Sequence, residues 1–214
     1  MTIKKIITLF LLFAFMVSLS LSCKENDKTA KNDNNTISSK INNMPTMVQS
    51  DTLYVPYTYW WENAGPFIGM CGDEYTLVFL GEVTHIGEAT KKPDAKFTSQ
   101  IGHIKIHKRL KPRDLTKGNP NMQMIFISNC FYGTDVKAGD KVLVFCYKYE
   151  RAVAIPGPKS ILKIDNYDAP VVKSIEKYID AKQNPLVIKQ DIPLWEKYGF
   201  GTELKQIIDC KEAN

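Results

Sequence analysis

The chain has 214 residues, of which 44% are apolar and 24% are charged, a composition typical of one globular domain with some additional sequence. This composition excludes collagen-like, low-complexity and wholly disordered chains. The formal net charge is +5, and two of the positive charges, on Lys4 and Lys5, lie in an N-terminal segment that we expect to be cleaved. The remaining positive charge is too small to indicate a nucleic-acid partner by itself.

The N-terminal segment predicts export. Residues 1–5 are short and basic, and the 16 residues Ile6–Leu21 carry no charge, as in a signal peptide. A membrane-spanning helix needs about 20 residues, so an uncleaved signal anchor is the less favoured alternative. Ser22 and Cys23 follow, and this ending resembles bacterial lipoprotein signals, in which a peptidase cleaves just before a cysteine that is then acylated. The resemblance implies a signal peptide over residues 1–22 and a Cys23 that anchors the protein by lipid in the bacterial outer membrane.

A polar tether follows this cysteine. Residues 24–50 contain no aromatic residue and are dominated by Asn, Lys, Ser, Thr and Asp, so they cannot bury enough apolar surface to fold. Counted from the lipidated cysteine, residues 23–50 are predicted to be a disordered tether with a reach of about 30 Å. Lys24–Asp27 resembles the surface-export tag of some Gram-negative lipoproteins, which leaves the periplasmic and the surface-exposed leaflet both open.

Beyond Asp51, short apolar runs separated by Gly, Pro, Asn and Asp predict a mainly β body. The first strand carries Gly81 in its middle, where a strand must bend so that its two halves can lie in different parts of a barrel wall. These features predict an OB-like five-stranded barrel, preceded by an aromatic-rich segment over residues 51–70. The strands are expected near Tyr75–Ile86, Ile101–Leu110, Met122–Ser128, Lys141–Tyr149 and Ile161–Ile164.

A C-terminal helix packed on the barrel is predicted after the last strand. Apolar residues recur there at helical spacing, with Asp168 as the expected cap and Pro170 in the first turn. The barrel and this helix occupy residues 71–181. Residues 182–214 are expected to form a helical extension, whose last helix is capped by Thr202. The inward stripe of the first helix consists of Val171, Val172, Ile175, Tyr178 and Ile179.

The order of these pieces resembles the netrin-like domain of the tissue inhibitors of metalloproteinases and its bacterial relatives. In that family a cysteine precedes a strand with a phenylalanine-x-glycine-x-valine pattern, which resembles Cys71 followed by Phe79–Val83. A second cysteine precedes a glycine and an apolar run, which resembles Cys130 followed by Leu143–Phe145. The resemblance covers residues 71–181 and implies an inhibitor-like module. The animal inhibitors bind the protease zinc through the free amine of their first cysteine, and Cys71 has none because it lies inside the chain.

Four cysteines remain besides Cys23. In an exported protein an even number suggests disulfides, and four cysteines allow three connectivities. The netrin-like resemblance implies a bridge from Cys71 to Cys130, which leaves Cys146 and Cys210 either bridged to each other or as free buried thiols. No Cys-x-x-Cys motif occurs, so neither a redox motif nor a zinc ribbon is predicted.

No catalytic or metal site is predicted. His103 and His107 have an H-x3-H spacing, but isoleucines alternate with polar residues here as in a strand. Four strand residues span about 13 Å, which is too far for two ligands of one ion. His85 is interpreted as an ordinary residue, and no nucleophile elbow, phosphate-binding glycine loop or calcium loop occurs. We therefore expect no cofactor. A metal-dependent or hydrolytic enzyme assembled only by the fold is the less favoured alternative.

Two groups of residues are candidates for binding a partner. The aromatic group precedes the barrel and could instead pack on it. Its members are Tyr57, Tyr59, Trp60 and Trp61. The basic group follows the second strand and could instead be a solvated loop. Its members are Arg109, Lys111 and Arg113. Because the signal predicts export, the expected partner is an envelope or extracellular protein and not nucleic acid. The sequence thus predicts a membrane-tethered, non-enzymatic binding lipoprotein, and a purely structural envelope lipoprotein is the alternative.

Overall fold

Within the part of the chain that the structure describes, seven strands form one curled sheet and three α-helices follow it. This computed structural model describes residues 50–58, 63–111, 123–150 and 152–214. The protein is mainly β, with a half-barrel sheet and C-terminal helices. The strands are β1 (Ser50–Tyr54), β2 (Tyr75–Thr90), β3 (Ser99–Lys111), β4 (Gln123–Ser128), β5 (Lys141–Tyr149), β6 (Ala152–Ala154) and β7 (Ile161–Ile164). The helices are α1 (Pro170–Asp180), α2 (Ile192–Lys197) and α3 (Gly201–Ala213), with 3-10 helices at Pro158–Ser160 and Pro185–Asp191.

The sheet is built around β2. The strands β3 and β5 pair antiparallel with its two edges, β4 pairs antiparallel with β3, and β1 pairs parallel with β4. The strands β6 and β7 pair with the two ends of β5. The residues that follow β1 connect the two opposite edges of the sheet. Val55 N–H donates to the Ile127 carbonyl of β4 at 2.8 Å, and Thr58 N–H donates to the carbonyl of Ile155, just after β6, at 3.0 Å. These bonds curl the sheet so that one face encloses a core.

Five of the seven described strands lie where the sequence predicts them, and β5 and β7 have the predicted bounds. The sheet formed by the described residues nevertheless has seven strands where five were expected. The extra strands are β1, which is polar and pairs with a partner distant in sequence, and β6, which has three residues. Residues 51–58 of the predicted aromatic-rich segment contribute to the sheet. The predicted signal peptide, Cys23 and the tether up to residue 49 lie outside the described residues.

Gly81 lies where β2 bends, as the sequence predicts. The pairing of β2 with β3 shifts register between Leu80 and Gly81. A Cβ atom at Gly81 would meet the Ile104 side chain and would lie 2.8 Å from the Lys105 carbonyl oxygen. The absence of a side chain therefore lets β2 and β3 approach closely at the bend.

The strands β2 and β5 are buried on both faces and separate two apolar cores. Alternate residues of β5 point to opposite sides, as the two-residue period of a strand requires. The inner core lies within the curl and consists of Val55, Leu77, Phe79, Val83, Ile104, Phe126, Cys130, Phe131, Val136, Val142, Val144, Cys146, Ile155 and Ile161. The helix core lies between the sheet and the helices and includes Phe67, Tyr75, Phe145, Tyr147, Val171, Ile175, Tyr178, Trp195, Leu204 and Ile207.

The helix α1 buries the predicted stripe but begins differently from the prediction. Ala169 is its N-cap, and Pro170 is its first residue. The Asp168 side chain makes no capping bond, and the Asp168 N–H donates instead to Asn166 Oδ1 at 2.9 Å. The cap predicted at Asp168 is therefore wrong, because an Asx turn at Asn166 precedes the helix.

The helix α3 also begins before its predicted cap. Phe200 is its N-cap, and the Phe200 carbonyl accepts the Leu204 N–H at 3.1 Å. Thr202 lies inside the first turn, so the cap predicted there is wrong. Leu204, Ile207 and Ile208 are buried in the helix core, as the sequence predicts.

The disulfide differs from the one that the netrin-like resemblance implies. Cys71 and Cys210 are bridged, with Cα atoms 5.2 Å apart, whereas Cys130 and Cys146 are free and buried. The Cys71–Cys130 bridge is therefore wrong, and so is a Cys146–Cys210 bridge. Both free thiols point into the inner core, whereas Cys71 lies beside α3, which carries Cys210. Burial raises the pKa of both free thiols, so neither is a reactive thiolate.

Candidate functional site

The outer face of the curled sheet carries an open row of side chains. Tyr54 of β1 lies opposite Ile127 of β4, Ile127 lies opposite His103 of β3, and His103 lies opposite His85 of β2. We call these four residues the outer row. Residues next to Tyr54, Ile127 and His103 along their strands belong to the inner core, so these side chains point away from it.

The outer row and its surroundings expose apolar surface. Tyr54 is 56% exposed, and Ile101, two residues before His103 on the same face of β3, is 46% exposed. Ile125 and Ile127 of β4 are half-buried. A single exposed apolar side chain is ordinary, but these side chains are neighbours on paired strands. A contiguous exposed patch of this kind is typical of a binding surface.

A β-bulge brings His85 to His103. Val83 pairs with Ile104 and the next pair is His85 with His103, so Thr84 is an extra residue in β2. Without it, Thr84 would face His103 and His85 would point into the inner core, because side chains alternate along a strand. The bulge instead places the two imidazole rings side by side, with centroids 5.2 Å apart and planes inclined at 57°.

Hydrogen bonds hold this bulge in place. The Val83 N–H donates to the Asp140 carbonyl at 2.9 Å, and the Gly139 N–H donates to the Val83 carbonyl at 2.7 Å. The extra residue is tied as well, because the Thr84 hydroxyl donates to the His103 carbonyl at 3.3 Å. The orientation of His85 is thus set by the backbone around it.

His107 takes no part in this pair. Its ring stacks on Tyr167, with centroids 4.3 Å apart and planes 7° from parallel, and the Lys141 ammonium lies 5.6 Å from the centroid of the same tyrosine. The two histidines of the H-x3-H spacing therefore have different partners. No group of three or more His, Cys, Asp or Glu residues in the described part of the chain is placed to hold a metal ion.

Of the aromatic binding candidates, the structure describes Tyr57. Its ring packs edge to face against Phe97, with centroids 4.8 Å apart, and its N–H donates to Asn129 Oδ1 at 2.8 Å. Partial burial raises the pKa of Tyr57. Tyr57 also forms an isolated β-bridge with Ile155, and through this bridge it helps to join the edges of the sheet. The other three candidates, Tyr59, Trp60 and Trp61, lie outside the described residues.

The described basic candidates, Arg109 and Lys111, do not form an exposed basic surface together. The Lys111 ammonium lies 2.7 Å from the Glu74 carboxylate and 2.7 Å from Gln183 Oε1, and it lowers the pKa of the Glu74 carboxyl. Arg109 is half-buried, and Arg113 lies outside the described residues. Lys111 thus ties the end of β3 to the turn after α1.

A mixed-charge cleft of about 500 Å³ lies beside β7. Asp135, Asp165, Lys163 and Tyr198 contribute to its lining. The Lys163 ammonium is 2.9 Å from the Asp140 carboxylate, and burial together with Asp165 raises the pKa of Tyr198. The lining residues that the structure describes include no His, Cys or Ser, so they provide no nucleophile paired with a histidine base.

The sequence prediction missed the outer row. Tyr54 lies in an unpredicted strand, and the pairing of His85 with His103 depends on a bulge that leaves no mark in the sequence. One sequence signal was present, because the apolar Ile125 and Ile127 flank Phe126, which faces the inner core. A strand that is apolar on both faces, yet uncovered on one of them, indicates a binding surface.

None of the described helices combines the length and the hydropathy that a transmembrane helix requires. Comparison of the chain with protein-family models, with curated proteins and with solved structures finds no match.

Proposed function

We propose that the chain is a non-enzymatic binding protein of the bacterial cell envelope, anchored in the outer membrane through a lipid on Cys23. Its contact surface is the outer row together with Ile101. The observation that supports this most is the exposure of Tyr54 and Ile101, at 56% and 46%, on a sheet face whose other side is a complete core. Apolar area exposed in this way gains free energy when a partner covers it.

The chemistry of the outer row favours a protein partner. A tyrosine and isoleucines offer apolar contact area, and the two imidazoles add polar atoms near them. Cores of protein–protein interfaces are enriched in aromatic residues and depleted of lysine. A nucleic-acid surface needs lysine and arginine side chains for the phosphates, whereas the row contains neither and the ammonium of Lys111 is already paired. The proposed partner is therefore an envelope or extracellular protein.

The disulfide supports the proposed export. Cys71 is exposed and bridged to Cys210. Structural disulfides form and persist in oxidising compartments such as the bacterial periplasm and the cell surface. This agrees with the signal-like sequence before Cys23.

An OB-like barrel remains our proposal for the arrangement of β2, β3, β4, β5 and β7, with β1 and β6 as additions. The two netrin-like motifs support it, since Phe79–Val83 in β2 and Leu143–Phe145 in β5 lie on paired strands. The disulfide that the resemblance implies is absent, so the proposed kinship rests on the order of the strand motifs. An inhibitor-like role rests on that kinship alone.

Substitution of Cys23 tests the anchor. Cys23→Ala should leave an unprocessed precursor and abolish labelling by a radioactive or alkyne-tagged fatty acid, because the acylated thiol is lost. Cys130→Ala is the matched control, since that thiol is buried in the inner core, and it should leave processing and labelling intact. Unchanged labelling of the Cys23→Ala chain would show that the proposed lipid anchor on Cys23 is wrong.

Photo-crosslinking in intact cells of the source organism tests the binding surface. A photoreactive phenylalanine at Tyr54 should yield one discrete protein adduct. The same residue at Leu186, an equally apolar site that is 39% exposed on the 3-10 helix, is the control and should yield none. No adduct from Tyr54 would count against the outer row and favour a purely structural role, and the same adduct from both positions would show that the contact is not specific to the outer row.

A further inference from the structure

We propose that His85 and His103 form a binding site for a first-row divalent metal ion, with Zn²⁺ as the reference ion and water completing the coordination. Imidazole nitrogen is a common ligand of zinc, copper and nickel, and it is a poor ligand for magnesium and calcium. The pair lies on neighbouring strands of the sheet, where backbone pairing fixes the spacing of the two rings.

The separation of the rings fits a shared ion. A zinc–nitrogen bond is about 2.1 Å long, and the ring centroid lies about 1.1 Å behind the nitrogen, so each centroid sits about 3.2 Å from a bound ion. Two such rings at a tetrahedral angle have centroids about 5.2 Å apart. The observed separation is 5.2 Å, and the planes are inclined at 57°, so the rings are not stacked.

The ring nitrogens are accessible for such a bond. His85 is exposed and His103 is half-buried, which leaves room for water ligands. Within the described part of the chain no side-chain hydrogen bond uses a ring nitrogen of either residue; the side-chain bond in this pair is the one from the Thr84 hydroxyl to the His103 carbonyl. No neighbouring group therefore has to be displaced when an ion binds.

The bulge is the second observation that supports the site. A regular ladder would put Thr84 opposite His103, and His85 would then face the inner core. Bulges are known to re-aim side chains next to functional sites. Here the extra residue Thr84 follows Val83, which is held by backbone bonds to Gly139 and Asp140, and the bulge brings the second imidazole to the outer face.

Titration calorimetry on the full chain tests the proposal without any partner. All variants carry Cys23→Ser, because an unacylated Cys23 thiol in the unprocessed full chain would compete for zinc. Zn²⁺ should bind with one site per chain, and His85→Gln and His103→Gln should each weaken it about tenfold or more. His107→Gln is the matched control and should leave the affinity unchanged, and Mg²⁺ should not bind. Equal effects of all three substitutions, or none, would overturn the proposal.

Footprinting of the unsubstituted chain gives a second measurement that does not depend on the stability of a variant. Zn²⁺ should slow the modification of His85 and His103 by diethylpyrocarbonate, measured by peptide mass spectrometry, and should leave His107 unaffected. Equal protection of all three histidines, or protection of none, would overturn the site. The proposed binding function would stand in that case, because the crosslinking experiment contains no metal step.

Discussion

Replacing Cys71 and Cys210 together by serine is expected to lower the free energy of unfolding by about 2–5 kcal/mol. The bridge spans a sequence separation of 139 residues, and a cross-link over so long a loop strongly restricts the unfolded chain. It also ties α3, which contributes Leu204 and Ile207 to the helix core, to the segment before β2. Urea unfolding followed by tryptophan fluorescence should show the loss as a lower midpoint.

A reducing agent provides the control for this prediction. Reduction should lower the midpoint of the unsubstituted protein to that of the double variant and should leave the variant unchanged, because Cys130 and Cys146 are free. Peptide mapping without reduction should recover Cys71 linked to Cys210. A Cys71 peptide linked to Cys130 would contradict the observed pairing.

Replacing Trp195 by alanine should cost about 3–5 kcal/mol of unfolding free energy. The indole is fully buried in the helix core and packs edge to face on Phe67, with ring centroids 4.8 Å apart. Its Nε1–H donates to Ser174 Oγ at 2.9 Å. The substitution leaves a large cavity between the sheet and the helices, and thermal unfolding followed by circular dichroism measures the effect.

Two further substitutions calibrate this result. Trp195→Phe keeps most of the packing but leaves the buried Ser174 hydroxyl without this donor, so we expect a smaller loss of about 1–3 kcal/mol. Leu186→Ala changes an exposed side chain and should fall within about 0.5 kcal/mol of the unsubstituted protein. Equal stability of the Trp195→Ala and Leu186→Ala proteins would show that Trp195 does not anchor the helix core.

The parts of the fold that local pattern dictates could be predicted. The strand Lys141–Tyr149 is an apolar run that follows a Gly-Asp turn, and its alternate residues fill the two cores. The stripe on α1 follows helical periodicity and is buried accordingly. In both cases the residues that form the pattern also make the contacts, so that local sequence and tertiary packing agree.

Non-local pairing could not be predicted from the sequence. The strand Ser50–Tyr54 is polar and short, and its place is fixed by its parallel partner Gln123–Ser128. The disulfide depends on α3 returning to the segment before β2, and no spacing of cysteines encodes that return.

The candidate site was missed for the same reason. Lys111, expected to be a binding residue, is held by Glu74 and Gln183 instead. The outer row depends on four strands lying side by side, and the His85–His103 pair depends in addition on one extra residue at Thr84. A bulge shifts the pairing by one position, and the exposed face of the strand then changes without any change in composition.

The most direct test of the outer row compares two substitutions of the same kind in the crosslinking experiment. With the photoreactive residue at Tyr54, Ile127→Glu should lower the adduct yield by about tenfold or more, because burying an unpaired carboxylate in the contact opposes binding. Val187→Glu places the same charge at an apolar residue that is 46% exposed away from the row, and it should leave the yield unchanged. Equal yields from the two variants, or a loss confined to Val187→Glu, would contradict the assignment of the outer row as the surface that binds the partner.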